Sequence, residues 1–317
     1  MRNPIVSVVI PTHNCLAFLP HCLAGIGAND DINIVVVVDR SNDGSREWLA
    51  QAAKQDPRIR PFSVEFGNAG AARNFGVRQC ESELIAFLDA DDIWLPRKLF
   101  RQVEFHLRNP DIVLSFTNYR HRTLSGELRS SILEYLPNFH SFIPNQATFA
   151  DFERIEQPLP AIYAANVIGT STVLLNREQF LLADGFDERL AVAEDWDLWL
   201  RLAGQGPFAY SPKIMSHYLL RPDSTSRHWP NRLKGLREVV SRFEETVAAQ
   251  SPRVVHHAKA RLMVAEAEAA RAQQKLLSAW ALHAKALCGC PEKRILKSFL
   301  HDGLCLMRGD QIIRTAK

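Results

Sequence analysis

Asp89, Asp91 and Asp92 fall within four positions of one another, in the segment Phe87-Leu88-Asp89-Ala90-Asp91-Asp92-Ile93-Trp94 that continues an apolar run. Like charges this close repel. A hard divalent cation shared between Asp91 and a substrate diphosphate would relieve that repulsion, and such an ion needs only one or two protein carboxylates. Acidic turns and helix caps give the same local pattern without an ion, so the segment alone leaves both readings open. A second acidic segment, Ala193-Glu194-Asp195-Trp196-Asp197-Leu198-Trp199, opens a helical pattern. Acids at a helix start are stabilised by its dipole, and a carboxylate such as Asp195 can also serve as a general base for an attacking hydroxyl. Between the two lies Gly67-Asn68-Ala69-Gly70-Ala71-Ala72-Arg73-Asn74-Phe75-Gly76, whose Arg73 is the sole cation between Arg60 and Arg78. A guanidinium fork matches phosphate oxygens. Tight helix-on-sheet packing would account for the small residues here but not for the arginine. His217 offers an imidazole that can ligate a metal, although a lone histidine is equally at home packed or on a surface.

These side chains need rigid supports, and the apolar pattern supplies them. Ile5 to Pro11 and Ile34 to Val38 are short, almost wholly apolar runs, as expected of parallel strands covered on both faces. Asn14 is placed to cap a helix through Leu16, Leu19, Leu23 and Ile26. A helix over 45–54, a strand over 58–64, a helix capped by Asn68 and running to Arg78, and a strand over 84–88 continue the alternation. Such alternation specifies a mostly parallel sheet whose ligands lie beyond the carboxyl ends of the strands. Pro96 suits the first turn of a helix to Arg108, with a strand over 112–116 after it. Residues 120–165, with Pro137, Pro144, Pro158 and Pro160, read as an irregular excursion beside the site. A strand over 170–175, a helix capped by Asn176, a helix over 194–202 and a strand over 209–215 complete this part. From residue 231 the spacing of Leu233, Leu236, Val240, Phe243 and Val247 is helical, and two to four helices are expected there. The expected division is therefore 1–230 and 231–317.

With 317 residues, 46% of them apolar and 23% charged, the chain can build a sizeable core, which excludes disorder and disulfide-stapled miniproteins. No apolar run approaches a membrane span, and Met1-Arg2-Asn3-Pro4 lacks the features of a secretory signal, so a cytoplasmic location is expected. The six cysteines lack zinc-site spacing and read as reduced thiols. The net charge of +3 conceals an asymmetry: sixteen Lys and Arg stand against eight Asp and Glu from Asn231 onward. A basic helical tail fits either an ordinary solvated face or peripheral contact with the inner face of the membrane. No nucleic-acid partner is expected.

Taken together these segments resemble the family 2 glycosyltransferases of the GT-A fold. The resemblance rests on Val6-Ser7-Val8-Val9-Ile10-Pro11-Thr12-His13-Asn14, on Val38-Asp39 with Asp43-Gly44-Ser45, and on Asn68-Ala69-Gly70 with Ala72-Arg73-Asn74. It continues through Phe87-Leu88-Asp89-Ala90-Asp91-Asp92, Gly185-Phe186-Asp187-Glu188 and Glu194-Asp195-Trp196-Asp197-Leu198-Trp199, in family order over residues 5–205. It implies an α/β nucleotide-diphospho-sugar transferase fold, a Rossmann-like mixed sheet with a helical appendage. It also implies inverting transfer of a sugar from a nucleotide diphosphate donor, UDP-sugar by default, to a carbohydrate or lipid-linked acceptor in surface polysaccharide or glycolipid synthesis. By that likeness Pro11, Thr12, Asn14, Asp39, Asn68, Gly70, Arg73, Asp89 and Ala90 bind the donor. Asp89 and Asp91 form the DXD motif, Asp91 holds Mg2+ or Mn2+ with His217 as a further candidate ligand, and Asp195 is the base. Arg221 to Ser226 resemble the mobile loop that follows the base in similar enzymes. One departure stands out: Arg40 follows Asp39 where a second acid is usual, and it would contact a phosphate or face solvent. QxxRW, the processive-synthase signature, is absent, with Arg227-His228-Trp229 only partly like it, which favours single-sugar transfer. The alternatives are a nucleotidyltransferase, against which Pro11-Thr12-His13-Asn14 stands in place of a glycine-rich basic loop, and a catalytically silent nucleotide-sugar-binding module.

Overall fold

β-Branched and apolar side chains dominate Val6–Thr12 (β1) and Ile32–Asp39 (β2), and both strands are buried almost throughout. The computed structural model describes residues 4–28, 31–143, 147–149, 151–221 and 229–308. After β1 come Leu19–Ala24 (α1), β2, Ser45–Gln55 (α2), Ile59–Val64 (β3), Ala69–Arg78 (α3), Leu84–Phe87 (β4), Ile93–Trp94 (β5) and Lys98–Arg108 (α4). Next are Leu114–Thr123 (β6), Leu128–Ser131 (β7), Ile132–Tyr135 (α5), Ala147–Phe149 (β8), Phe152–Ile155 (β9), Pro158–Ala164 (α6), Leu174–Asn176 (β10), Arg177–Leu182 (α7), Glu194–Ala203 (α8) and Phe208–Leu220 (β11). The helices Trp229–Gln250 (α9), Pro252–Ala272 (α10), Leu276–Gly289 (α11) and Lys293–Arg308 (α12) follow. Two compact units result, Met1–Ser224 and Thr225–Lys317.

The strands of the first unit form one sheet in the order β3-β2-β1-β4-β10-β6-β11-β9-β8, with β5 on β11 and β7 on β6. Strands β1 to β4 are mutually parallel, whereas β10 runs antiparallel to both β4 and β6. The sheet is therefore mixed, with the parallel half carrying the βαβ crossovers. Phe87 of β4, Phe180 of α7, Phe186 and Trp199 of α8 meet at ring-centroid distances of 5.2–6.5 Å. That aromatic block fixes the acidic start of α8 beside the end of β4.

Several elements differ from the sequence expectation for identifiable reasons. Asn14 does not cap α1: it sits at φ +50°, and its Oδ1 accepts from the Asn42 amide. The cap position of α1 is Phe18. The excursion over 120–165 contains regular structure, because β6 extends to Thr123 and pairs residue by residue with β11 from Tyr119↔Ser216 to Thr123↔Leu220. Its Arg120, His121 and Arg122 hide the strand from any apolar pattern. Thr170–Thr172 form a 3-10 turn rather than the start of a strand, with Thr172 Oγ1 donating to the Gly169 carbonyl. His217 lies inside β11 rather than after it, since register shifts after Ser211 and Ile214 let one strand of 13 residues continue past its polar middle. The first helix after the acidic turn begins at Lys98, with Arg97 at φ +68° before it, and not at Pro96.

Within the second unit, the fully buried Asp302 of α12 is ion-paired with Arg271 of α10 at 2.6 Å and hydrogen-bonded to His283 of α11 at 2.7 Å. Glu292 accepts from His257 at 2.9 Å and from the Cys290 thiol at 3.3 Å. All six cysteines are unbridged. No helix among the described residues is long and apolar enough to cross a membrane.

Helix α3 reaches the sheet closely because Gly76 presents no side chain: a Cβ there would lie 2.5 Å from Val9 Cγ1 and 3.2 Å from Val37 Cγ2. Both neighbours are stiff, buried strand residues. Gly76→Ala is expected to lower stability by about 1–3 kcal/mol, read as a fall in urea midpoint. The double variant Gly76→Ala/Val9→Ala should lose less than the sum of its single changes.

Candidate active site

At the carboxyl end of β4 the chain turns sharply, and the Asp92 amide bonds the Asp89 carbonyl. The Ser171 hydroxyl organises this turn. It accepts from the Asp89 amide at 3.0 Å and donates to Asp92 Oδ2 at 2.5 Å, while its carbonyl takes the Trp94 indole N–H at 2.6 Å. Asp92 Oδ1 accepts from the Leu219 amide at 3.0 Å. Burial, reinforced by Asp91 and Asp89, pushes the Asp92 carboxyl well above its usual range. Asp92 therefore ties three chain segments together instead of serving a helix start. Asp89 and Asp91, each about a quarter exposed, remain at the rim.

The glycine-rich helix faces this turn. Asn68 caps α3 by accepting from the Ala71 amide, and its Nδ2 donates to the Glu188 carbonyl. Asn74 exchanges hydrogen bonds with the backbone of Phe186 and donates to Glu188 Oε1. At Gly70 a Cβ would press on Phe186 Cβ at 3.2 Å, so α3 can lie against the 185–188 turn and the start of α8. Arg73 is buried in that seam. Its two terminal nitrogens bond Asp89 Oδ1 at 2.6 Å and Glu194 Oε1 at 3.0 Å, and its guanidinium carbon lies 5.4 Å from the centre of the Phe186 ring. Burial opposes the charge on Arg73, but Asp89 and Glu194 more than offset it and leave the group firmly protonated. Burial and the neighbouring Asp195 push Glu194 up to about 7. Asp195 is raised as well, chiefly by burial, against donation from the Trp196 amide at 2.6 Å and the Thr170 hydroxyl at 3.2 Å. Asp89, Glu194 and Asp195 thus share the field of one cation.

On the other flank, Asp39 at the end of β2 accepts the Gly67 amide at 2.9 Å and the Asn68 amide at 3.1 Å. Pro11 and Thr12 end β1 beside it, and the buried Thr12 hydroxyl has no hydrogen-bond partner among the described residues. His13 Nδ1 lies 2.8 Å from the Asp39 carbonyl oxygen. Arg40 is exposed, as one of the two expectations for it had it, and its side chain donates twice to the Glu65 carbonyl and lies over Gly67, where a Cβ would stand 2.6 Å from its nitrogen. Ala90 is buried within the acidic turn. Asp91 is paired at 3.3 Å with Arg221, whose guanidinium also touches Cys15 Sγ and sits 5.2 Å from the Phe18 ring centre. Burial and Asp89 raise the Asp91 carboxyl while Arg221 opposes. His217 is opposite Ile93 in the β11–β5 pairing, and burial together with Arg122 and Arg120 lowers its pKa. No contact among the described residues joins His217 to Asp89 or Asp91. Residues 222–226 of the suspected loop, and Arg227 and His228, lie outside the described residues.

Sequence reasoning missed three participants: Glu194 as a partner of Arg73, Ser171, and the Asp91–Arg221 pair. A signal existed for the first, because a lone arginine in a small-residue helix must find an acid if it is buried. The raised Glu194 gives a pH test. Unfolded, this carboxyl ionises at its ordinary value near 4.5; folded, it does so at about 7. Between these values the native state holds more protons, so this group's contribution to stability falls as pH rises through the window. Glu194→Gln should flatten that fall in a series of urea midpoints.

Comparison with known proteins is consistent with this geometry. The sequence profile described as glycosyl transferase family 2 matches residues 7–164. The Bacillus subtilis protein TuaG, described as a putative teichuronic acid biosynthesis glycosyltransferase, is 27% identical over 233 residues, covering 72% of this chain and 84% of TuaG. Other curated relatives are much longer, and the chain spans about a third or less of four of them. Among solved structures, the Pyrobaculum calidifontis mannosyltransferase PcManGT in complex with GDP-Man and Mn2+ gives a TM-score of 0.65 at 18% identity, over 97% of this chain and 81% of that one. Staphylococcus aureus TarS 1-349 in complex with UDP-GlcNAc gives 0.59 at 15% identity, over 96% and 92%. At such low identity these likenesses show the fold, the α/β GT-A type. Profile, relatives and fold agree that the chain belongs to glycosyltransferase family 2.

Proposed function

We propose that the protein is an inverting glycosyltransferase of the cytoplasm, moving one sugar from a nucleotide diphosphate donor to an acceptor hydroxyl. The observation that carries this reading is the shared environment of Asp89, Glu194 and Asp195 around Arg73. Acids from the end of β4 and from the start of α8 meet around one guanidinium, the proximity that donor binding and proton abstraction on the same substrate pair require. In the transfer, the acceptor oxygen attacks the anomeric carbon and its proton passes to Asp195. The bond from that carbon to the diphosphate oxygen breaks, and the nucleoside diphosphate leaves with the electron pair. A carboxylate whose pKa is raised by burial is the stronger base, closer to the match that general-base catalysis favours. Arg73 is buried and engaged with two carboxylates, so it acts by holding Asp89 in place.

The nucleoside would lie against Pro11, Thr12, Asn14 and Asp39, with Asn68 and Gly70 at the diphosphate and Ala90 in the acidic turn. UDP-sugar is the default donor, supported by the TarS complex and balanced by the GDP-Man complex of PcManGT. Asp89 and Asp91 suit a divalent cation: they are mutually repelling, partly exposed oxygen donors on one turn. Mg2+ or Mn2+ bound there would stabilise charge on the departing diphosphate. His217 remains a weaker candidate ligand. The acceptor class, a carbohydrate or lipid-linked sugar of a surface polysaccharide or glycolipid, is supported by the description of TuaG.

Thermal-shift titration with UDP and GDP, with and without Mn2+, tests the donor site, because a ligand of the native state raises the melting temperature by mass action. Asp91→Ala should abolish the metal-dependent part of that shift. Asp195→Asn should keep it and lower transfer by about 10²- to 10⁴-fold, the usual worth of a general base. Near wild-type transfer by Asp195→Asn would remove the assignment of the base.

A further inference from the structure

The second unit ends in a hairpin of helices whose outer surface is unusual for a soluble face. On α12, Leu296, Leu300, Leu304 and Met307 are all exposed, Met307 by 77%, and their spacing of four, four and three residues aligns them on one side of the helix. The opposite side, with Ile295 and Asp302, is buried. The α12 stripe is extended by α11, where Leu277 is 71% exposed and Trp280 lies partly exposed, stacked on Phe299 at 5.3 Å. Trp280 Nε1 also stands 3.2 Å from where a Cβ on Gly303 would be, so the indole borders the α12 stripe directly. Exposed apolar residues scattered singly need no explanation, but a continuous band does.

The exposed charges of the α11–α12 hairpin itself have one sign, Glu268 of α10 being paired with Arg294. Between Lys275 and Arg308 the acids are Glu292 and Asp302. Asp302 is fully buried against Arg271 and His283, and Glu292 is turned to His257 and Cys290. Lys285, Lys293, Lys297 and Arg308 are exposed and make no ion pair among the described residues. On α12, Lys293 and Lys297 precede Leu300 and Leu304 by seven residues each, so Lys293 heads the leucine stripe one turn before Leu296 and Lys297 borders it. A second copy of this surface would bring like charges together around its apolar centre, which disfavours self-association. An anionic bilayer satisfies both halves of the pattern: acyl chains receive the leucines and the indole, and headgroups receive the cations.

We infer that the α11–α12 hairpin lies in the interface of an anionic membrane, with Leu296, Leu300, Leu304, Met307, Leu277 and Trp280 inserted and Lys285, Lys293, Lys297 and Arg308 at headgroup level. This surface belongs to the second unit alone and does not depend on the sugar-transfer reading, so either can fail without the other. Co-sedimentation of the full chain with phosphatidylglycerol-containing vesicles, against pure phosphatidylcholine vesicles, tests it. Binding to the anionic vesicles and its loss at high salt are expected. Leu300→Glu/Leu304→Glu should abolish sedimentation. Lys293→Glu/Lys297→Glu should lower partitioning at least tenfold, each lost cation alone being worth about fivefold. All four positions are exposed, and an unchanged helical circular dichroism spectrum and urea midpoint, measured in parallel, report that the variants are folded. Equal partitioning to both lipids, or unchanged binding by the leucine variant, would overturn the inference. So would a dimer in light scattering that the leucine variant dissociates, since the band would then be occupied by a second copy.

Discussion

One guanidinium sets the terms for the first unit. Arg73 is buried between two carboxylates from distant parts of the chain, and a third stands within its field. Breaking such a cluster by removing the cation leaves acids stranded in a poorly solvated seam, which generally costs about 3–5 kcal/mol. The small residues of α3 follow from this need. Gly70, Ala71 and Ala72 let the helix lie close enough to the 185–188 turn for a single arginine to reach both the end of β4 and the start of α8. The aromatic block of Phe87, Phe180, Phe186 and Trp199 then holds those two ends at a fixed separation.

Below the rim, the acidic turn is held by hydrogen bonds that never face a ligand. Ser171 bridges Asp89 and Asp92, and a polar cluster lies beneath the 3-10 turn that carries it. Gln102 donates to the Thr172 carbonyl and to Ser115, and buried Lys98 donates to Gln102 at 2.7 Å while lying 4.1 Å from the centre of the Trp94 ring. Desolvation drives the Lys98 amine well below its usual range, toward the neutral form that such a place tolerates. The three adjacent acids therefore do different work. Asp89 and Asp91 are presented, and Asp92 is an internal fastener.

Much of this was legible in the residue pattern, and what was not has a common cause. Apolar runs and helix caps marked β1, β2, β4, α3, α7 and α8, because their stability is local or comes from one continuous buried face. Asn68 and Asn176 cap as their positions indicated. Asn14 does not, since its side chain is claimed by Asn42, a partner 28 residues away. The polar half of β6 and the continuation of β11 through His217 exist by pairing with each other, which no single segment encodes. Likewise the three acids of the turn look equivalent in sequence, and their distant partners Ser171, Leu219, Arg73 and Arg221 distinguish them. Arg40 is exposed, as one of its two readings had it, but its bonds to the Glu65 carbonyl, 25 residues away, could not be foreseen from the local pattern.

Arg221 gives the rim an occupant of its own. A cation drawn to Asp91 would compete with this guanidinium for Oδ2, so the chain would carry an intramolecular competitor for that site. The apparent affinity there would be the intrinsic one lowered by the strength of the internal pair. In return the Asp91 carboxylate is compensated within the chain, and an arginine released by a cation would already stand beside the anion that comes with it.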